Sequence, residues 1–294
     1  MLDFLEKDKK HRNYSKVKNF DKNAPITSEV ILITKAYKEC DIDAWVEHYL
    51  NWCGFNHVII IDNGTTCCNI QEKFNGNDKI SVIEMPSKFF NMQQYFYNRF
   101  ANNNIKYTYQ FFCDDDEYLW FDKTKYSNIN NYLKHLNDND VYQFGVPRVN
   151  ISYESSRTPE TRQGPMINEC KYVSEDYYKE VLVSIKPFIH TAIKTQISNI
   201  SFSYPHFINN YNIILPNNSE FNPRVDGTKV KYKVSDSDIK LFHYYHRSLE
   251  EWNEKMNRTR IDCLPTMKYK DYPTGKSTEY PKKEYTKLLN PFNR

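Results

Sequence analysis

Four consecutive carboxylates, Asp114-Asp115-Asp116-Glu117, stand between Phe111-Phe112-Cys113 and Tyr118-Leu119-Trp120. A solvated acidic turn is the ordinary meaning of such a run. Here apolar, strand-forming residues hold it on both sides, and crowding like charge there is costly unless a cation neutralises it. In an extended segment Asp114 and Asp116 point to one side and Asp115 to the other. An Asp-x-Asp pair offers hard oxygen ligands to Mg²⁺ or Mn²⁺, with waters and substrate phosphates completing the shell. The chemistry expected is therefore metal-assisted handling of a phosphorylated substrate.

The elements that must position these carboxylates follow from periodicity. Val30–Thr34, Val58–Ile61, Lys79–Ile83, Tyr107–Cys113 and Val141–Val146 are short β-rich apolar runs. Between them, Ile42, Trp45, Val46, Tyr49, Leu50 and Cys53 trace one helix face, which Gly54 ends. Met92, Tyr95, Phe96 and Phe100 mark a second helix, and Ile129, Leu133 and Leu136 a third. This alternation predicts an α/β fold with a mostly parallel central sheet flanked by helices. Ligands on such sheets bind beyond the carboxyl ends of the strands, where Asp62 and Asp114 fall. Further strands are expected at Val181–Ile185 and Ile239–Phe242. Ser248 with Glu251 has capping-box spacing for a last helix carrying Leu249, Trp252 and Met256. Ser152–Lys171 reads as a long loop of the kind that closes over ligands, with Arg157 and Arg162 suited to a diphosphate.

Composition bounds the rest. The 294 residues suffice for a large core, and 24 Tyr with 18 Phe supply it. Forty basic against 37 acidic side chains leave +3, which gives no electrostatic case for nucleic acid. The seven cysteines include no CxxC pair, which suggests reduced thiols. No apolar run approaches the roughly 20 residues that span a bilayer, and Met1–Lys7 lacks a signal-peptide layout. A cytoplasmic location is expected, and peripheral membrane association would leave no trace of this kind. Residues 1–27 read as a charged arm, 28–262 as the catalytic domain and 263–294 as an irregular tail.

Four segments in order resemble the GT-A-fold glycosyltransferases of the family 2-like group, the branch related to family 92. They are Trp45–Leu50 with Gly54–Thr65, ending in Asp62-Asn63-Gly64; Gln94 with Tyr97-Asn98; Phe112–Leu119; and His243–Trp252 with Lys255 and Arg258. The chain departs at Lys35-Ala36-Tyr37, where the group has Lys-Asn-Glu. Arg247 stands where Lys is common, and the helix before Gly54 is one residue longer than usual. The resemblance implies a GT-A, Rossmann-like nucleotide-diphospho-sugar transferase fold, and transfer of a sugar from a nucleotide-diphosphate donor, UDP-linked in the expected case. The acceptor would be a hydroxyl of a glycan or protein. It implies Lys35, Asp62, Gln94, Asn98, Asp114, Asp115 and Arg247 on the nucleotide sugar. Asp114, Asp116 and His243 would hold Mn²⁺ or Mg²⁺, with Asp114 acting on the ribose or through a metal-bound water. His246 is a second candidate for the diphosphate. For a catalytic base the candidates are Glu154, Glu160, Glu169 and Asp226, with Glu169 favoured. The alternatives are a nucleotidyltransferase or a non-catalytic nucleotide-sugar binding module. An Asp-nucleophile phosphatase is disfavoured, because Tyr118 stands where such enzymes carry a small β-branched residue.

Overall fold

The structure is a computed structural model that describes residues 23–34, 36, 38–84, 106–153, 158–191, 202–203, 207–208, 212–221, 229–245, 247–257 and 287–288. Its strands in chain order are β1 (Ser28–Thr34), β2 (His57–Asp62), β3 (Ile80–Glu84), β4 (Tyr109–Cys113), β5 (Glu117–Phe121), β6 (Gln143–Ser152), β7 (Tyr172–Val173), β8 (Val181–His190), β9 (Phe202–Ser203), β10 (Phe207–Ile208), β11 (Ile213–Ile214), β12 (Glu220–Phe221), β13 (Lys229–Tyr232), β14 (Ile239–His243) and β15 (Lys287–Leu288). Its α-helices are α1 (Glu39–Glu47), α2 (Ile70–Lys73), α3 (Ile129–Asp138), α4 (Met166–Glu169) and α5 (Leu249–Asn257).

The main sheet runs β12-β11-β6-β8-β4-β1-β2-β3. β3, β2, β1 and β4 are mutually parallel, and β8 is antiparallel to both β4 and β6. The fold is α/β, as the alternation predicts. Strands buried on both faces must be apolar throughout, and all seven residues of β1 are buried. The chain moves outward from β1 through β2 to β3, then returns to place β4 on the other side of β1. That reversal makes β1 and β4 the switch point, where strand ends diverge and leave a crevice.

α1 buries Ile42, Trp45 and Val46, and then changes its hydrogen-bond spacing rather than ending. His48–Cys53 forms a π-helical turn, closed by Gly54 at φ 79°. A π turn absorbs one extra residue without shifting the apolar face. This accounts for the helix being one residue longer than its pattern, and it sends Tyr49 and Cys53 into the core together.

β6 and β8 are each long enough to serve two sheets. They pair with each other from Gln143↔Ile189 to Pro147↔Ile185 and then part. Pro147 has no N–H, so the ladder loses a donor at that point. Beyond it β6 pairs with β14 and β7, whereas β8 pairs with β13. Lys287 and Leu288, from the segment read as an irregular tail, form β15 against β7.

Where β6 and β8 are still joined, Gly145 is crowded. A Cβ there would stand 2.6 Å from Ile213, 3.1 Å from Leu215 and 3.2 Å from Ile185. Gly145→Ala should lower stability by about 1–3 kcal/mol by overpacking. Urea unfolding checks this, and a midpoint equal to wild type would show that the β11 contact yields freely.

Candidate functional site

β4 ends at Cys113 and β5 begins at Glu117, so the acidic run must turn from one sheet into another. It does so as a tight turn, in which Glu117 N–H donates to Asp114 C=O at 3.1 Å. This corrects the extended geometry expected for the run. Asp115 and Asp116 occupy the corner, and they, rather than Asp114 and Asp116, share a cation.

That cation is Arg247. Its Nη2 donates to Asp115 Oδ1 at 3.0 Å and to Asp116 Oδ2 at 3.2 Å. Thr34, the last residue of β1, donates its hydroxyl to Asp115 Oδ2 at 2.8 Å, tying the turn to the switch point. Asp116 is buried, and its C=O accepts from Tyr244 N–H at 2.7 Å. Burial alone would raise its carboxyl pKa. His243, Arg247 and Lys255 reverse this and hold it well below the ordinary carboxylate range.

His243 ends β14, which pairs with β5 in the register His243↔Glu117. Its Nε2 lies 3.4 Å from Asp116 Oδ1. Its Nδ1 lies 2.9 Å from Asn150 Oδ1, on the neighbouring β6. An amide oxygen accepts, so Nδ1 donates and Nε2 is the nitrogen turned toward Asp116. This arrangement orients an imidazole as a metal ligand. Adjacent ligands of an octahedral Mg²⁺ or Mn²⁺ at ~2.1 Å are separated by about 3 Å, so the Asp116–His243 spacing fits such an ion. Among the described residues no three His, Cys, Asp or Glu side chains converge on one point. Mg²⁺ held by few protein ligands takes the rest of its shell from water and phosphate.

Asp114, expected as a metal ligand, is placed differently. Its Oδ2 accepts from Lys186 Nζ at 2.8 Å, and the same ammonium meets Glu117 Oε2 at 2.7 Å. Arg148 takes the other Glu117 oxygen at 3.0 Å. Trp45 Nε1 donates to Asp114 C=O at 3.2 Å, so the helix Trp is a clamp on the turn. Only the residue alternation of β6 and β8 hints at Lys186 and Arg148. A charged residue inside an apolar strand is the signal that could have found them.

Asp62 lies at the end of β2 beside Thr34, its Oδ1 accepting from Thr65 N–H at 2.9 Å. Glu169, the favoured base, is engaged locally. Its Oε1 accepts from Gly164 N–H and its Oε2 from Tyr153 OH at 3.4 Å. These bonds tie it to the preceding loop. Lys35, Gln94, Asn98, Glu154, Arg157, Asp226, His246 and Arg258 lie outside the described residues.

Arg162 corrects the expectation of a loop arginine facing a diphosphate. It is fully buried, donating through Nη1 to Asp41 Oδ1 at 2.9 Å and through Nε and Nη2 to Glu251, each at 2.7 Å. Its own C=O accepts from Lys38 Nζ at 2.6 Å. Two carbonyls of the same segment, Pro159 and Glu160, accept from the first helical N–H groups of α5, at Leu249 and Glu250. Ser248 and Glu251 close the capping box, with Ser248 N–H on Glu251 Oε2 at 3.3 Å and Glu251 N–H on Ser248 Oγ at 3.4 Å. Residues 158–166 are thus a strap joining α1 to α5. The residue it steadies, one position before the cap, is Arg247.

No family model matches the chain, and no curated protein matches it. Solved structures with a distant likeness include residues 1–349 of S. aureus TarS, 15% identical with TM-score 0.34, covering 60% of this chain and 50% of that one. The same TarS segment in complex with UDP-GlcNAc gives 15% and 0.33, covering 60% and 49%. The mannosyltransferase PcManGT from Pyrobaculum calidifontis, in complex with GDP-Man and Mn²⁺, gives 14% and 0.32, covering 49% and 42%. The chain therefore spans half or less of the length of these structures. A likeness this distant carries no argument about activity, which rests on the geometry above. No helix among the described residues is long and apolar enough to cross a membrane.

The strap makes a pH-dependent prediction. Burial would raise the Glu251 carboxyl, but its bonds to Arg162 bring it below the ordinary value. A depressed carboxylate stabilises fully above its unfolded pKa, ~4.3, and loses that contribution as pH falls through the folded value. Glu251→Gln should therefore flatten the fall in stability below about pH 4. Arg162→Met, which strands two buried carboxylates, should cost about 3–5 kcal/mol at neutral pH. Denaturant titrations across pH check both, and unchanged acid sensitivity in Glu251→Gln would contradict the first.

Proposed function

We propose that the chain is a metal-dependent glycosyltransferase of GT-A type, with a nucleotide-diphosphate sugar, UDP-linked, as donor and a hydroxyl of a glycan or protein as acceptor. The observation that carries this reading is the Asp116–His243 pair, its imidazole oriented by Asn150, at the carboxyl ends of the parallel strands beside the β1/β4 switch point. Residues 28–262 form the transferase unit in this reading, with 1–27 an arm and 263–294 a tail.

Asp116 and His243 would hold Mn²⁺ or Mg²⁺. When bound, the ion supplies charge stabilisation to the departing diphosphate. The chain's own residues do the rest. Arg247, which bridges Asp115 and Asp116, is placed so that its guanidinium can turn from carboxylate to phosphate, both of which suit its forked geometry. In this reading Asp114, held by Lys186, meets a ribose hydroxyl, and the ammonium offsets a third like charge at the corner. Asp62, at the neighbouring strand end, sits where a base or ribose would lie. Lys35, Gln94 and Asn98 complete the nucleotide contacts in this proposal. The strap from 158 to 166 holds Arg247 and the turn in register before substrate arrives, which is the preorganisation electrostatic catalysis needs.

Asp116→Ala should abolish Mn²⁺-dependent UDP binding in calorimetry while the chain still folds. Undiminished UDP affinity with the same metal dependence would overturn the assignment. His243→Ala should weaken Mn²⁺ dependence far more than it lowers the melting temperature of the metal-free protein. The reverse order would make His243 a core histidine.

A further inference from the structure

Beyond Pro147 the two long strands separate, and the space between them is not filled. A cavity of about 350 Å³ lies in the fork, within the range of small-ligand sites. Its walls are the stretches where each strand has left the other: Arg148 to Asn150 on β6 and Val181 to Ser184 on β8. Each stretch spends its ladder on an outer partner, β14 or β13, so the edges that face the fork bring backbone N–H and C=O groups to the cavity. Side-chain hydroxyls and amides join them from Asn150, Ser174, Tyr177 and Ser184.

We propose that this fork binds a neutral oligosaccharide, the glycan acceptor; the acceptor role rests on the transferase reading above, while the binding itself does not. Three observations select that ligand class. First, the lining combines hydroxyl and amide groups with strand-edge backbone, which matches a dense array of sugar hydroxyls. Second, charge is balanced. Arg148 is neutralised by Glu117 at 3.0 Å, and the lining holds the acidic Asp176 as well as the basic Lys229. A polyanionic ligand would call for a net positive wall. Third, Leu182 is 62% exposed at the lining, the one large exposed hydrophobic among the described residues. An apolar side chain beside polar groups suits the C–H face of a pyranose.

The fork also touches the candidate metal pair. Asn150 lines it and accepts from His243 Nδ1 at 2.9 Å, and Arg148 lines it and holds Glu117. A saccharide seated there lies one side chain away from His243.

The test is saturation-transfer NMR on the full chain with chitotriose, cellotriose and mannotriose, with and without UDP and Mn²⁺. At least one trisaccharide should bind. Ser184→Trp, which fills the fork, and Leu182→Asp, an exposed change that leaves folding intact, should each weaken that binding by about tenfold or more. UDP–Mn²⁺ binding and melting temperature should stay as in wild type for Leu182→Asp. Absence of binding for all three sugars, or binding that survives both variants, overturns the proposal. Sugar binding in a chain that fails to bind UDP with Mn²⁺ would uphold the saccharide site and defeat the transferase reading, so the two failures are separable.

Discussion

Asp115 and the buried Asp116 can lie side by side at this strand end because one guanidinium lies against both. Arg247 satisfies an oxygen of each, while Thr34 and His243 take the others. Remove that compensation and like charges at a strand end would shift their protonation or unfold the turn. The other features of the site serve this contact. The tight turn brings the two carboxylates to one corner, and the β5–β14 pairing sets His243 opposite Glu117. The capping box fixes where α5 begins and so where Arg247 stands. A second buried ion network, Arg162 between Asp41 and Glu251, anchors that helix to α1. Buried ion networks are weak sources of net stability but strong sources of register, and register is what a two-ligand metal site requires.

Around this centre the sheet divides its labour. The parallel strands β3, β2, β1 and β4 bring Thr34, Asp62 and the acidic turn to one edge. The long antiparallel pair β6 and β8 carries Lys186, Arg148 and Asn150 beneath and beside that turn, then opens into the fork. The candidate metal pair and the space beside it are thus two consequences of the same strands.

Much of the scaffold was legible in the sequence. The apolar runs gave β1 to β4 and the parallel half of the sheet, since such strands need unbroken hydrophobicity. Ile129, Leu133 and Leu136 located α3, and Ser248 with Glu251 located the start of α5, because caps and periodicity are local. The acidic turn and His243 stood out by residue type. What local pattern does not encode is partner choice across long separations. Lys186 finds Asp114 over 72 residues, and Arg162 finds Asp41 over 121. Those pairings depend on which strands neighbour one another, so the partnership of Lys186 with Asp114 was not legible locally. The bonds of Glu169 to Gly164 and Tyr153 depend on how the loop closes, which spacing does not specify. The π turn, by contrast, had a visible cause in the one surplus residue before Gly54.

The central claim is that Asp116 and His243 form one metal site completed by the donor diphosphate. Pulsed electron paramagnetic resonance of Mn²⁺ bound to the chain with UDP reads the ligands directly. The account predicts nitrogen modulation from one imidazole, lost in His243→Gln, together with phosphorus coupling from UDP. Bound Mn²⁺ with phosphorus coupling but no nitrogen, or a nitrogen signal untouched by His243→Gln, would contradict it.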